Sequence, residues 1–247
     1  MNSFVLEIAC YSAEAAFTAA KAGAHRIEMC DNPLEGGTTP SFGTLKMIRE
    51  KLTIPVFPII RPRGGHFVFT QSEIAIMEHD IKLCKQMGFE GVVIGLLHPD
   101  ATVDYENTSR LVNLAYPLDV TFHRAFDRTP EPFAALETII KTGCTRILTS
   151  GQVPDVNNGS ALVAQLIKTA DHRITIMPGS GVRAGSIARL AAETEATEFH
   201  SSASYWKKET TTSPISMQEH LEQNQLNQDE VRKMLTSLDT YFGNLIS

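Results

Sequence analysis

The sequence predicts an α/β fold, a (β/α)8 or TIM barrel, on three observations. Eight short β-rich runs recur along the chain, helical patterns lie between them, and 247 residues is a length that one such barrel fills. Strands that alternate with helices form parallel βαβ units. An open doubly wound sheet would alternate in the same way. Its glycine fingerprint is missing at the first strand–helix junction, where Cys10-Tyr11-Ser12 stands.

The eight strand candidates span residues 5–9, 26–29, 55–60, 91–96, 119–123, 146–149, 173–177 and 197–201. Val92-Val93-Ile94 is continuously apolar, as suits a strand covered on both faces. Helical patterns run over 13–22, 42–51, 72–87 and 132–141. Gly23, Gly88 and Gly143 follow three of them, where a left-handed residue can cap the last turn. Beyond the eighth strand, residues 207–228 are polar, with a Thr210-Thr211-Thr212 run, and 226–242 reads as a final amphipathic helix. Trp206, Met217 and Met234 read as core or interface. The expectation is one domain over 1–247, with the barrel at about 4–203 and a polar linker and C-terminal helix over 204–247.

Composition narrows the function. Net charge is −6 and the cations are scattered, so no basic stripe exists to neutralise phosphates of a nucleic acid. No apolar stretch approaches the ~20 residues of a membrane span, and Met1-Asn2-Ser3-Phe4 does not open a secretory leader. Cys10, Cys30, Cys84 and Cys144 show no CxxC pair and read as thiols of a cytoplasmic protein.

Polar residues fall where a barrel gathers its chemistry, at strand ends and in the loops after them. Glu7 and Glu28 sit among apolar neighbours, the third strand ends in Arg61-Pro62-Arg63-Gly64-Gly65, and the fifth runs into His123-Arg124-Ala125-Phe126-Asp127. A buried carboxylate is costly unless paired, so Glu28 is expected to meet Arg61 on the adjacent strand. That constellation is either a structural ion pair or an anion-clamping acid/base site. The Gly-rich segment 31–40 is either a ligand-covering loop or a plain Ω-loop. Gly179-Ser180-Gly181 and Ser201-Ser202 follow strands seven and eight, where backbone amides can hold phosphate, although such glycines also serve tight turns. Cys10 and Cys30 end neighbouring strands and could bind a soft metal or simply pack. Strand parity sets Cys30 on the Glu28 face and Cys10 on the face opposite Glu7.

Six motifs together resemble the CutC family of copper-homeostasis proteins. They are Ala24-His25-Arg26-Ile27-Glu28-Met29-Cys30, Glu35-Gly36-Gly37-Thr38-Thr39-Pro40-Ser41, Arg61-Pro62-Arg63-Gly64-Gly65, Thr121-Phe122-His123-Arg124-Ala125-Phe126-Asp127, Arg146-Ile147-Leu148-Thr149-Ser150-Gly151 and Ile176-Met177-Pro178-Gly179-Ser180-Gly181-Val182. The resemblance runs in order from about residue 6 to 203. It implies a TIM barrel, a cytoplasmic homodimer or higher homo-oligomer, and a role in copper homeostasis, with Cu(I) bound through Cys30. Three positions depart from the family's usual pattern: Gln152 and Ser180 stand where glycine is common, and His66 where aspartate is common.

Two functions follow as expectations. In the first, Cu(I) is bound by Cys30, with Cys10 as a second ligand. In the second, the rim acts on a small phosphorylated or carboxylated metabolite. Arg61 and Arg63 then clamp the anion, Gly179, Gly181 and Ser201 hold phosphate, Glu28 or Glu7 serves as base, and His123 serves as acid.

Overall fold

In the computed structural model, residues 4–208 and 222–245 are described. Thr210, Thr211, Thr212 and Met217 lie outside them. The eight expected strands form as β1 (Val5–Cys10), β2 (Arg26–Met29), β3 (Val56–Pro58), β4 (Gly91–Ile94), β5 (Asp119–Phe122), β6 (Arg146–Thr149), β7 (Thr175–Pro178) and β8 (Glu198–Ser201). Parallel ladders run β3-β2-β1-β8 and β4-β5-β6-β7. The Ile60 amide donates to the Val93 carbonyl at 2.8 Å and joins β3 to β4, while β7 lies alongside β8. The ring is thereby closed in chain order, a (β/α)8 barrel.

Helices α1 (Ala13–Ala22), α2 (Phe42–Lys51), α3 (Gln71–Met87), α4 (Tyr105–Ala115), α5 (Pro132–Thr142), α6 (Val156–Ala170) and α7 (Ile187–Thr194) alternate with the strands. Ser12 caps α1 by accepting the Ala15 amide, and Thr70 with Glu73 forms a capping box on α3. Gly23, Gly88 and Gly143 all take left-handed φ at helix ends, as expected. Among the described residues no helix is long and apolar enough to cross a membrane.

The segment after β8 differs from expectation. Ser204–Lys208 (β9) pairs antiparallel with Glu222–Leu226 (β10), and the last helix, α8, spans Gln228–Asn244. Glu222-Gln223-Asn224-Gln225 has little intrinsic strand preference, so its conformation comes from a partner distant in sequence. Asn227 caps α8, which buries Val231, Met234 and Leu238 against the barrel's helices.

The barrel interior is ionic toward the N-terminal ends of its strands. Arg26 Nε lies 2.5 Å from Glu7 Oε2, its Nη2 lies 2.6 Å from Glu198 Oε2, and Arg146 Nε meets the same Glu198 oxygen at 2.6 Å. Phe57 packs in this layer, its ring centroid 5.0 Å from Arg26 Cζ and 5.6 Å from Arg146 Cζ. A Cβ on Gly91 would stand 2.5 Å from the Phe57 ring, so the glycine of β4 makes room for that layer. Four charges from four strands, β1, β2, β6 and β8, neutralise one another here, so a buried ionic layer is tolerated.

Candidate functional site

At the C-terminal ends of the strands, a cavity of about 860 Å³ opens above this ionic layer. Glu28, His123 and His200 line it from the strand ends, and Arg61, Arg124, Arg128 and Arg183 from the loops. Positive groups outnumber carboxylates on this wall, an electrostatic preference for anions.

Glu7, His200 and Glu28 form a chain that ends in the cavity. His200 Nδ1 lies 2.7 Å from Glu7 Oε1, and its Nε2 lies 3.7 Å from Glu28 Oε2. Glu7 is fully buried beneath the cavity and does not line it, so it acts from behind the imidazole. Burial opposes ionisation of Glu7, but Arg26, His200 and Arg146 outweigh it and hold the carboxyl well below the usual range. Glu28 has the opposite environment. Burial and the charge on Glu7 push its carboxyl up, only partly offset by His200. Burial works against a charged His200, yet the Glu7 hydrogen bond and the two carboxylates raise its pKa. Two carboxyls driven apart in pKa around one imidazole can store and deliver a proton.

The expected Glu28–Arg61 pair does not form. Arg61 lies beyond the end of β3, where carbonyls of two loops converge. Its Nη1 donates to the carbonyls of Glu35 (2.6 Å) and Gly37 (2.8 Å), and its Nη2 to that of Gly65 (2.7 Å). Arg61 thus ties segment 31–40 down over the barrel, leaving its buried Nε without a partner. Arg63 is turned to Glu73 at 2.5 Å and to the carbonyls of Gly64, His66 and Val68, outside the main cavity. A fork-on-fork clamp of an anion by these two arginines is therefore replaced by loop pinning.

His123 is seated with care. A Cβ on Gly95 would stand 2.2 Å from its ring, and Phe67 packs at 4.9 Å between ring centroids. Nδ1 accepts the Ala125 amide at 3.1 Å, which leaves Nε2 to carry the hydrogen. Burial, followed by the charges of Arg61 and Arg124, pushes its pKa down to about 3. The ring is neutral at ordinary pH and serves better as a hydrogen-bond donor than as a proton source.

The loops after β7 and β8 face the cavity through Ser180, Gly181, Val182, Ser201 and Ser202. Among the described residues, the amides of Ser180, Gly181 and Val182 have no protein acceptor, and Arg183 beside them has no ion-pair partner. Ser201 is buried and donates to the Val182 carbonyl at 2.8 Å, tying the two loops together. Gly179 is off the wall. A Cβ there would meet Leu148 at 2.4 Å, so its role is close packing beneath the loop. Ser180 and Gln152, both at departures from the family's glycines, take φ of 72° and 60°, the left-handed region.

Cys10 and Cys30 are neighbours through their backbones. The Cys30 amide donates to the Cys10 carbonyl at 2.8 Å, but the side chains belong to separate buried clusters. Cys10 joins the barrel–helix layer, while Cys30 packs inside with Phe57, Ile59 and Val93. Burial raises both thiols far above the usual range, with Glu28 adding to the effect. Among the described residues no group of three or more His, Cys, Asp or Glu side chains is arranged to hold a metal.

Sequence reasoning passed over Arg26, Arg146 and Glu198. Strand parity was the available signal: Arg26 shares a face with Glu28, Arg146 with Leu148, and Glu198 with His200.

Residues 4–205 match the model of the CutC family. A family protein CutC of Chromobacterium violaceum is 50% identical over 199 residues, covering 81% of each chain. The crystal structure of the putative copper homeostasis protein CutC from Streptococcus agalactiae superposes with a TM-score of 0.77 at 32% identity, covering 81% of this chain and 98% of that one. Phosphoribosyl anthranilate isomerase from Thermotoga maritima shares the fold alone, at 13% identity, a TM-score of 0.57 and coverage of 97% and 99%.

Proposed function

This chain belongs to the CutC family, and from that premise we propose that its barrel mouth binds a small phosphorylated or carboxylated molecule and moves a proton on it. The Glu7–His200–Glu28 chain of contacts carries the reading, because it ends at a carboxyl whose pKa is raised toward the working range of a general base. The open amides of Ser180, Gly181 and Val182, with Arg183, supply the anion subsite. Segment 31–40, tied down by Arg61, walls the cavity and limits water.

Differential scanning fluorimetry against sugar phosphates and small carboxylates tests the proposal. A ligand at ~100-fold excess over its Kd adds about 2.7 kcal/mol of stability. Arg183→Ala should weaken that shift. A library in which nothing raises the melting temperature of the wild type would overturn the reading.

Copper handling is the second reading, favoured by the name of the Streptococcus agalactiae relative and by the Cys30 thiol, which hydrogen-bonds Glu28. Cu(I) would then be held through Cys30. Titration against a competing chelator checks it, and equal affinity in wild type, Cys30→Ser and Cys10→Ser would exclude a cysteine site. On the family resemblance we also propose a single domain that works in the cytoplasm as a homodimer or higher homo-oligomer, without nucleic-acid or membrane partners. Light scattering reads the oligomeric state.

A further inference from the structure

Two cavity-lining residues that meet at one corner, around Phe67, each carry a buried and unmatched hydrogen-bond donor. His123 Nε2 and Arg61 Nε each lack a partner. Both residues line the cavity, and both are about nine-tenths or more buried, at 5% and 4% exposure. Phe67 frames the corner, its centroid 4.9 Å from the His123 ring and 4.9 Å from Arg61 Cζ. An unmatched buried donor costs ~1–3 kcal/mol, and native proteins leave few of them. The rest of each side chain is fully occupied: His123 Nδ1 by the Ala125 amide and the Arg61 Nη atoms by three carbonyls. Neither group can therefore turn away to find a protein acceptor.

We propose that this corner is a carbonyl-oxygen subsite, in which His123 Nε2–H and Arg61 Nε–H grip one oxygen of the substrate. The inference rests on the proton-transfer reading above and deepens it by naming the substrate class, a carbonyl compound that also carries an anionic group. Glu28 stands on β2, three strands around the ring from the strand that ends at His123, and lines the same cavity. Its carboxylate takes a proton from the carbon next to the carbonyl. The electrons of that C–H bond form a C=C bond, and the carbonyl π pair moves onto oxygen. The two N–H donors stabilise the resulting enolate oxygen, as preorganised donors do wherever negative charge develops. Where that carbon also bears a hydroxyl, transfer of the hydroxyl proton to the enolate oxygen and return of the proton from Glu28 to the former carbonyl carbon complete an isomerisation that shifts the carbonyl by one carbon, without an oxidant, a reductant or a second substrate. The neutral state of His123 suits this role, since a neutral imidazole donates to the oxygen without losing its proton.

The probes are phosphoglycolohydroxamate, whose planar hydroxamate mimics an enediolate, and inorganic phosphate, which lacks that oxygen. With histidine-labelled protein, the His123 Nε2–H resonance should move downfield on adding the hydroxamate and stay in place with phosphate. His123→Phe should weaken hydroxamate binding about 10- to 100-fold, as one hydrogen bond to a charged group implies, and leave phosphate affinity unchanged. His123→Gln, which keeps an N–H donor, should recover part of the loss. Hydroxamate binding that leaves the resonance still, or that is equal in wild type and His123→Phe, overturns the subsite while the anion-binding proposal stands. Phosphate binding without hydroxamate binding does the same. Failure of both probes overturns both readings.

Discussion

His200 Nδ1 lies 2.7 Å from Glu7 Oε1, which couples the barrel's ionic interior to the mouth where His200 is exposed to ligand. Glu7 is in turn fixed by Arg26, and Arg26 by Glu198. The imidazole is therefore oriented by a network that no ligand touches.

Glu7→Gln should separate that support from the cavity. Breaking a buried ion pair costs ~3–5 kcal/mol, and here Glu198 still partners Arg26, so the lower end is expected. The His200 pKa, raised in part by Glu7, should fall in the variant. Urea denaturation reads the first effect and NMR titration of His200 the second. An unchanged His200 titration would refute the coupling.

Glu28→Gln should stabilise the protein at alkaline pH. The folded pKa of Glu28 is raised above its ordinary 4.5, so the stability tied to its proton is present below that value and lost as pH rises through the folded pKa. A neutral amide does not suffer this loss. The melting-temperature difference, variant minus wild type, should grow from pH 5 to pH 8, and a flat difference would contradict a raised pKa.

His123 should make the fold acid-sensitive. Its folded pKa, about 3, lies below the ordinary 6.5, so its contribution is complete above 6.5 and is lost as pH falls toward 3. The loss can reach several kcal/mol, since each unit is ~1.4 kcal/mol. His123→Gln should shift acid unfolding to lower pH, measured by circular dichroism.

The fold was legible because barrel strands buried on both faces stay apolar while helices keep their own period. Gly91–Ile94 and Ala13–Ala22 follow those rules residue by residue. The β9–β10 hairpin was not legible, because Glu222-Gln223-Asn224-Gln225 gains its strand from pairing alone. At the site, Glu28 and His123 stood out as polar groups at strand ends, and both reach the cavity. Arg61 misled because adjacency on neighbouring strands says nothing of where a long side chain finds acceptors. Three loop carbonyls outcompeted one carboxylate that already faced His200.

Ser180→Gly should be close to neutral in stability. Left-handed φ costs a residue with a Cβ ~1–2 kcal/mol, which glycine avoids. The serine hydroxyl offsets part of this by donating to the Pro154 carbonyl at 2.7 Å, worth ~1 kcal/mol. Denaturant melts should place the variant within about 1 kcal/mol of the wild type, a balance of those two magnitudes.

The most direct test of the account is diffraction from crystals soaked in saturating inorganic phosphate. The prediction is a phosphate in the cavity, held by the amides of Ser180, Gly181 and Val182 with Arg183 closing on it. A cavity that stays free of phosphate under those conditions, with the anion bound only elsewhere on the surface, would contradict it.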